Sequence, residues 1–360
     1  MCIYFGDTPD LTYKKREHIF PAGLGGTVTL PQGWVSDQAN ELFSSMEGEL
    51  MHDSLLALDR YLFGPGDRRG KASKSNVTVG VQDDGKVALS YLSMGKPHLI
   101  DQVYLRTENA VVSAQDDGSD ADLIKKRIGN ALRKFEAQSR SVFLPCPDMA
   151  AEDLLIGAHD GKVFVACSGE RPSGDRVYDA IRKILGGFQS GELNRDSQHI
   201  RQKHVLTENG NIARMYAKTG MNALARLRGY KYAAHPAFDR IKRWIVSGEN
   251  DDEFNYLPSI SAERSRLAYA LPEDTHFCVF TQIGDEIRAL VCFYGRYTRQ
   301  FTFGQAPDAG DFKYPEGYIC DWKNKAEYTL AEHIENLVSG RRTRLKNNNQ
   351  RVSHFSTLSQ

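Results

Sequence analysis

Glu17-His18-Ile19-Phe20-Pro21, then Gly25-Gly26, then Asn40 form the stretch on which the reading of this chain turns. An acid and a histidine stand side by side at what reads as the end of a β-strand. Adjacent strand residues point to opposite faces, so the pair can serve one spot only where the strand stops. Pro21 and Gly23-Leu24-Gly25-Gly26 supply that stop. A carboxylate and an amide oxygen are hard donors suited to Mg²⁺ or a similar ion. Imidazole titrates near neutral pH and can take a proton from water. A metal and a base are what phosphodiester hydrolysis needs.

Around this stretch the sequence predicts a compact ββα unit. A short strand or knuckle covers residues 2–5, a second strand ends near His18, and Thr27-Val28-Thr29-Leu30 returns after the glycine turn. Ser36 is the N-cap of a helix running to about Phe63. Its apolar positions Ala39, Leu42, Phe43, Met46 and Leu50 recur at three and four residues, as one buried face demands. Asn40 flanks that face, and Glu47 falls near the same edge two turns later.

Gly64-Pro65-Gly66-Asp67-Arg68-Arg69-Gly70 reads as a linker. Strand, tight turn and strand then alternate at 77–91, 154–165 and 277–291, separated by helices over about 121–137, 174–186, 210–227 and 235–246. Strands that arrive as hairpins point to an antiparallel α+β body and not to a doubly wound parallel sheet. The expected organisation is α+β: a module over 1–63, a body over 64–340 divisible near 140–150, and a flexible basic tail over 341–360. Segments 115–122 and 248–254 read as acidic surface loops.

Composition is that of an ordinary globular protein, 41% hydrophobic and 26% charged. No run approaches the length of a membrane span, and the start lacks the pattern of a signal peptide. The cysteines Cys2, Cys146, Cys167, Cys278, Cys292 and Cys320 are scattered with no C-x-x-C pair, which suits buried reduced thiols in the cytoplasm. Formal charge sums to zero, 46 basic against 46 acidic side chains, yet the basic residues cluster in 201–243 and 341–351. A patch can meet a polyanion whatever the total.

The stretch 17–50 resembles an HNH endonuclease of the ββα-metal type, in the variant with an E-H-I-x-P … G-G … C-x-x-C-N pattern. The resemblance covers about the first 60 residues. It implies that His18 is the general base and that Glu17 and Asn40 bind a divalent metal, Mg²⁺ or Mn²⁺; the separation of His18 and Asn40 fits the family. Two features depart from the pattern. Of the four zinc-knuckle positions only Cys2 is retained, with Phe5, Ser36 and Ala39 at the others, so no structural zinc is expected. Thr27 and Thr29 lie where the middle asparagine would stand. By analogy with such modules, a prokaryotic defence or restriction role is expected, with DNA as substrate and a homodimer suited to cutting both strands. A small-molecule or protein activator acting on the body is a further expectation.

Arg214, Lys218, Arg226, Arg228, Lys231, Arg240, Lys242 and Arg243, interleaved with Tyr216, Tyr230, Tyr232, Phe238 and Trp244, are candidates for gripping nucleic acid by charge and stacking. The same pattern also describes amphipathic helices with solvated basic faces and buried rings. No P-loop and no G-x-S-x-G elbow is present. The competing functional reading is a nucleic-acid-binding or nucleotide-sensing protein whose nuclease module is vestigial.

Overall fold

The structure, a computed structural model, describes residues 1–66, 72–82, 86–106, 110–114, 120–138, 141–186, 200–202, 209–249, 257–258, 269–308, 311–339, 345–346 and 352–353. Most of the linker, of the acidic loops and of the basic tail expected from sequence lies outside these residues.

At the N-terminus the two expected strands are reduced to isolated rungs. Cys2 and Gly6 bridge one another, and His18 pairs with Thr29 in a single antiparallel bridge. That bridge is flanked by Ile19 N–H donating to the Val28 carbonyl (3.0 Å) and Leu30 N–H donating to the Glu17 carbonyl (2.8 Å). Pro21 and Pro31 have no N–H with which to lengthen the ladder. Gly26 packs so tightly on the Phe20 carbonyl that any Cβ there would collide with it.

Helix α1 (Asp37–Asp53) begins where the Ser36 hydroxyl accepts from the Ala39 N–H at 3.3 Å, a cap worth about 1 kcal/mol. The single helix expected to Phe63 is instead two. Ser54 donates to the Leu50 carbonyl (2.6 Å) and accepts from the amides of Leu56 and Ala57. It thereby closes α1 and caps α2 (Leu55–Phe63), the competition with the helical ladder that serine is known for.

The chain forms two compact units, one of residues 1–73 with 206–360 and one of residues 74–205. The expected division after residue 63 is therefore not where the compact units part.

The 74–205 unit holds β1 (Thr78–Gln82), β2 (Val87–Ser93), β3 (Lys96–Leu99), β4 (Asp101–Leu105), β5 (Ala110–Ser113), α3 (Ala121–Gln138), β6 (Ser141–Pro145), β7 (Leu154–His159), β8 (Lys162–Cys167), α4 (Gly174–Leu185) and β9 (Ile200–Gln202). They make a four-stranded sheet, β3-β2-β1-β9, and a five-stranded sheet, β5-β4-β7-β8-β6. The hairpins β1–β2 and β7–β8 fall where alternation and turn residues predict them. Among the described residues of this unit only β6–β8 is parallel, with α3 and α4 lending Ile124, Ile128, Leu132, Val177 and Ile181 to the core over that sheet.

In the larger unit the chain resumes with α5 (Gly210–Arg228), α6 (Tyr230–Ala233) and α7 (Asp239–Ser247). A six-stranded antiparallel sheet follows, ordered β10-β13-β12-β11-β14-β15. Its strands are β10 (Leu257–Pro258), β11 (His276–Ile283), β12 (Glu286–Phe293), β13 (Tyr297–Gln305), β14 (Glu316–Asp321) and β15 (Ala326–Thr329), with α8 (Leu330–Ser339) after them. The β11–β12 hairpin is the third that the sequence predicts. Of the basic tail, residues 345–346 and 352–353 pair antiparallel. Helix α5 is buried from Ile212 to Ala225, a helix closed on all sides being a core element. At Gly220 a Cβ would stand 2.8 Å from the Phe303 ring, so glycine lets the helix settle onto β12 and β13. One apolar cluster joins Tyr4, Phe20, Leu24 and Phe43 to Met215, Leu224, Phe280 and Phe293. The N-terminal segment thus shares its core with residues two hundred positions away, which is why it is not a separate body. Among the described residues, no helix is long and apolar enough to cross a membrane.

Candidate functional site

The rungs around His18 set its surroundings. Alternation along the chain buries Glu17 (6% exposed) and Ile19 and leaves His18 half-buried between them. The acid and the histidine therefore leave the backbone on opposite sides.

Glu17 meets helix α5. The ammonium of Lys218, 0% exposed, pairs with Glu17 Oε1 and, at 3.0 Å, with Glu47 Oε1 on α1. The same nitrogen lies 5.4 Å from the centre of the Phe43 ring. One turn along α5, Asn222 Nδ2 donates to the His18 carbonyl (2.9 Å) and to Glu17 Oε1 (3.4 Å). Its Oδ1 accepts from the Tyr4 hydroxyl at 2.6 Å. Burial alone would push the Lys218 ammonium down, but Glu17 and Glu47 outweigh it and hold its pKa above the ordinary value. Burial is the largest influence on Glu17 and raises its pKa against the opposing pull of Lys218. Two carboxylates sharing one ammonium leave an excess of acid, which is consistent with both directions.

The glycine turn after His18 is held from its other side. Glu327 Oε1 accepts from the amides of Thr27 (2.6 Å) and Val28 (2.9 Å) and from the Thr27 hydroxyl (3.2 Å). Burial drives the Glu327 pKa up to about 7 despite these bonds. The His276 ring accepts the Tyr294 N–H at Nδ1 (2.8 Å), which fixes its tautomer and makes Nε2–H the donor to the Leu24 carbonyl (2.9 Å). Burial lowers the His276 pKa to about 4.

Asn40 is half-buried on the first turns of α1, and its Nδ2 donates back to the Ser36 carbonyl at 3.0 Å. The knuckle positions remain clustered without a metal pattern: the Cys2 thiol sulfur accepts from the Ser36 N–H at 3.4 Å, and Ser36 caps onto Ala39. All six cysteines are buried and unpaired. Among the described residues no group of three or more His, Cys, Asp or Glu side chains is arranged to hold a metal ion. Glu17 and Asn40 carry hard oxygen donors, and Glu17 Oε1 is already paired with the Lys218 ammonium. One carboxylate and one amide, completed by water and substrate oxygens, is a set that Mg²⁺ accepts. The donor types suit the expected ion, while the Lys218 ammonium already stands at Glu17.

The basic segment is a different object from the one its sequence suggests. Lys218 is interior. Arg214 is buried because it donates to the carbonyls of Ile245 (2.9 Å) and Val246 and to Asn211 Oδ1 (2.9 Å), closing the end of α7. Lys242 is buried against the Ala234 and His235 carbonyls, 3.2 Å each, and Asp239. Arg228 is held by both oxygens of Glu316 and by the Asp311 carbonyl. Arg226, Lys231, Arg240 and Arg243 are exposed. Phe238 and Trp244 are core residues, as is Tyr216. Half of the expected phosphate-gripping set is thus engaged inside the protein.

Asn222 and Tyr4 are parts of the site that sequence reading misses. A signal exists: Lys218 and Asn222 stand four apart on a helix rich in Ala, Met and Leu, so both polar heads lie on one face and need a buried partner. No protein-family model, curated protein or solved structure matches this chain.

Proposed function

We propose that this protein is an HNH-type endonuclease that hydrolyses DNA phosphodiesters, with His18 as the base that takes a proton from water. The observation that carries this reading is the anchoring of the Glu17-His18 pair. Asn222 holds the His18 carbonyl, Lys218 holds Glu17, and the His18–Thr29 rung fixes the strand end beside α1. These contacts fix the backbone that carries His18, one part of what a positioned general base requires. Glu17 and Asn40 are the residues that would hold a divalent ion. Bound there, the ion supplies charge neutralisation at the phosphate and at the leaving oxygen. The six unpaired thiols support a reducing, cytoplasmic setting.

The test is cleavage of plasmid DNA with Mg²⁺ or Mn²⁺. Wild type should nick or linearise it, and a folded His18→Ala variant should lose roughly 100-fold or more in rate. Equal cleavage by that variant, or no cleavage by wild type, ends the assignment.

A second reading is favoured by Lys218. An ammonium between two carboxylates satisfies that cluster with a resident cation, as expected of a nucleic-acid-binding protein with a vestigial module. It predicts DNA binding of equal strength in EDTA and in Mg²⁺, without cleavage in either.

A further inference from the structure

Beside the acid cluster a cleft of about 290 Å³ opens between the glycine turn and helices α1 and α2. At ~30 Å³ per molecule it has room for about ten waters. Its lining includes Gly23, Ser44, Glu47, Gly48, His52 and Arg60. Glu47 belongs both to this lining and to the Lys218 cluster, so the cleft adjoins the cluster that holds Glu17.

Arg60 is the distinctive residue here. It is half-buried, and its Nε donates to the Gly23 carbonyl at 2.8 Å. Among the described residues no carboxylate pairs with it and no acceptor takes its terminal amino groups; the neighbouring acid, Asp59, is engaged by Arg296 instead (3.0 Å). A guanidinium whose plane is already fixed through Nε presents its two outer nitrogens as a fork, the geometry that phosphate oxygens match. The Tyr61 hydroxyl lies 3.4 Å from His52 Nδ1, which orients the imidazole at the same cleft. Ser44 contributes a hydroxyl. Gly48 contributes only open space, since nothing lies within 4 Å of where its Cβ would stand. Glu47 is the single carboxylate among these residues, and Lys218 engages its Oε1.

We propose that this cleft is a subsite for a backbone phosphate of nucleic acid, with Arg60 as its anion ligand and the gap at Gly48 as the room the chain needs. The assignment rests on the nuclease reading above and deepens it. Arg60 seats a phosphate next to the reacting one, which aligns the strand with His18. No covalent step is assigned to it.

The experiment is fluorescence anisotropy of the full-length protein with a labelled DNA duplex over a range of salt, on two variants. Arg60→Gln removes the fork. Gly48→Phe fills the cleft without altering charge, on a helix where a side chain is better tolerated than glycine. Each should weaken DNA binding roughly 10-fold, the loss expected for one charged hydrogen-bonded contact. Arg60→Gln alone should also reduce the slope of log K against log salt by about 1, a change that a merely structural role does not produce. Unaltered affinity in both folded variants overturns the proposal, as does a wild type that binds no duplex. If inorganic phosphate, but not the duplex, raises the thermal midpoint in an Arg60-dependent way, the cleft is a free-anion site and the nucleic-acid assignment falls. His18→Ala separates the two readings: retained binding with lost cleavage upholds the nuclease, while unchanged cleavage ends that reading and leaves the Arg60 result to stand by itself.

Discussion

Asn222 donates from its side chain to the main-chain carbonyl of His18 at 2.9 Å, across 204 residues of sequence. The amide does three jobs at once, since it also reaches Glu17 and takes the Tyr4 hydroxyl. Asn222→Ala removes the side-chain donor to the His18 carbonyl and the closer of the two acceptors of the Tyr4 hydroxyl, leaving it only the Lys218 carbonyl at 3.3 Å. It should cost ~2–3 kcal/mol by urea unfolding and lower any His18-dependent cleavage in proportion to the misplaced strand end. An unchanged urea midpoint would show that the contact does not hold the pair.

Lys218→Met should destabilise by ~3–5 kcal/mol, because it strands two carboxylates that the ammonium compensates. Adding Glu17→Gln removes one of them and should recover part of the loss. A double-mutant cycle reads the coupling; strict additivity of the two changes would mean that the buried pair does not interact.

Glu327 makes stability fall as pH rises. Its carboxyl has an ordinary pKa of 4.5 and one of about 7 when folded, so the folded state holds the proton more tightly. Stability from this group is therefore fully present below about 4.5 and declines towards 7. Glu327→Gln should flatten the curve of unfolding free energy against pH over that window. A wild-type curve rising across it from this residue would contradict the burial of the carboxyl.

His276 acts on the acid side with the opposite sign. Its folded pKa of about 4 lies below the ordinary 6.5, so the unfolded chain binds the proton first. Stability is complete above 6.5 and falls as pH drops towards 4. NMR titration of the ring should show it neutral at pH 6, and a ring already protonated there would exclude the Tyr294–His276–Leu24 relay.

Residues 1–63 expressed alone should fail to unfold cooperatively. Tyr4, Phe20 and Phe43 would lose the α5 and sheet residues with which they share a core. A sharp, two-state thermal transition in that fragment would show instead that it is an autonomous module.

The three hairpins and the helices were legible in the sequence because each is a local pattern, such as Val77–Tyr91 with its turn or the periodic apolar face around Phe43. Ser36 was legible as a cap for the same reason. Ser54 was not, because no glycine or proline adjoins it in sequence and only its back-bond to Leu50 reveals the break. Glu17, His18 and Asn40 could be picked out by type and spacing. Their environment could not, since it comes from Lys218, Asn222 and Glu327, and no short window contains both sides of a contact 200 residues long. The basic segment misled for a related reason: charge is read from sequence, but whether Arg214 faces water or the Ile245 carbonyl is decided by tertiary packing.

The larger unit is interrupted in sequence, its first 73 residues being separated from the rest by the 74–205 unit. During synthesis the Glu17-His18 pair therefore leaves the ribosome long before its anchors do. At about 5–20 residues per second, the 205 residues between Glu17 and Asn222 take roughly 10–40 s to appear. Through that interval the pair has neither Lys218 nor Asn222 to hold it, and its surroundings are assembled only once the intervening unit has been made. Chain order thus imposes a delay: the segment around Glu17 and His18 gains its buried partners only after the whole 74–205 unit has been synthesised.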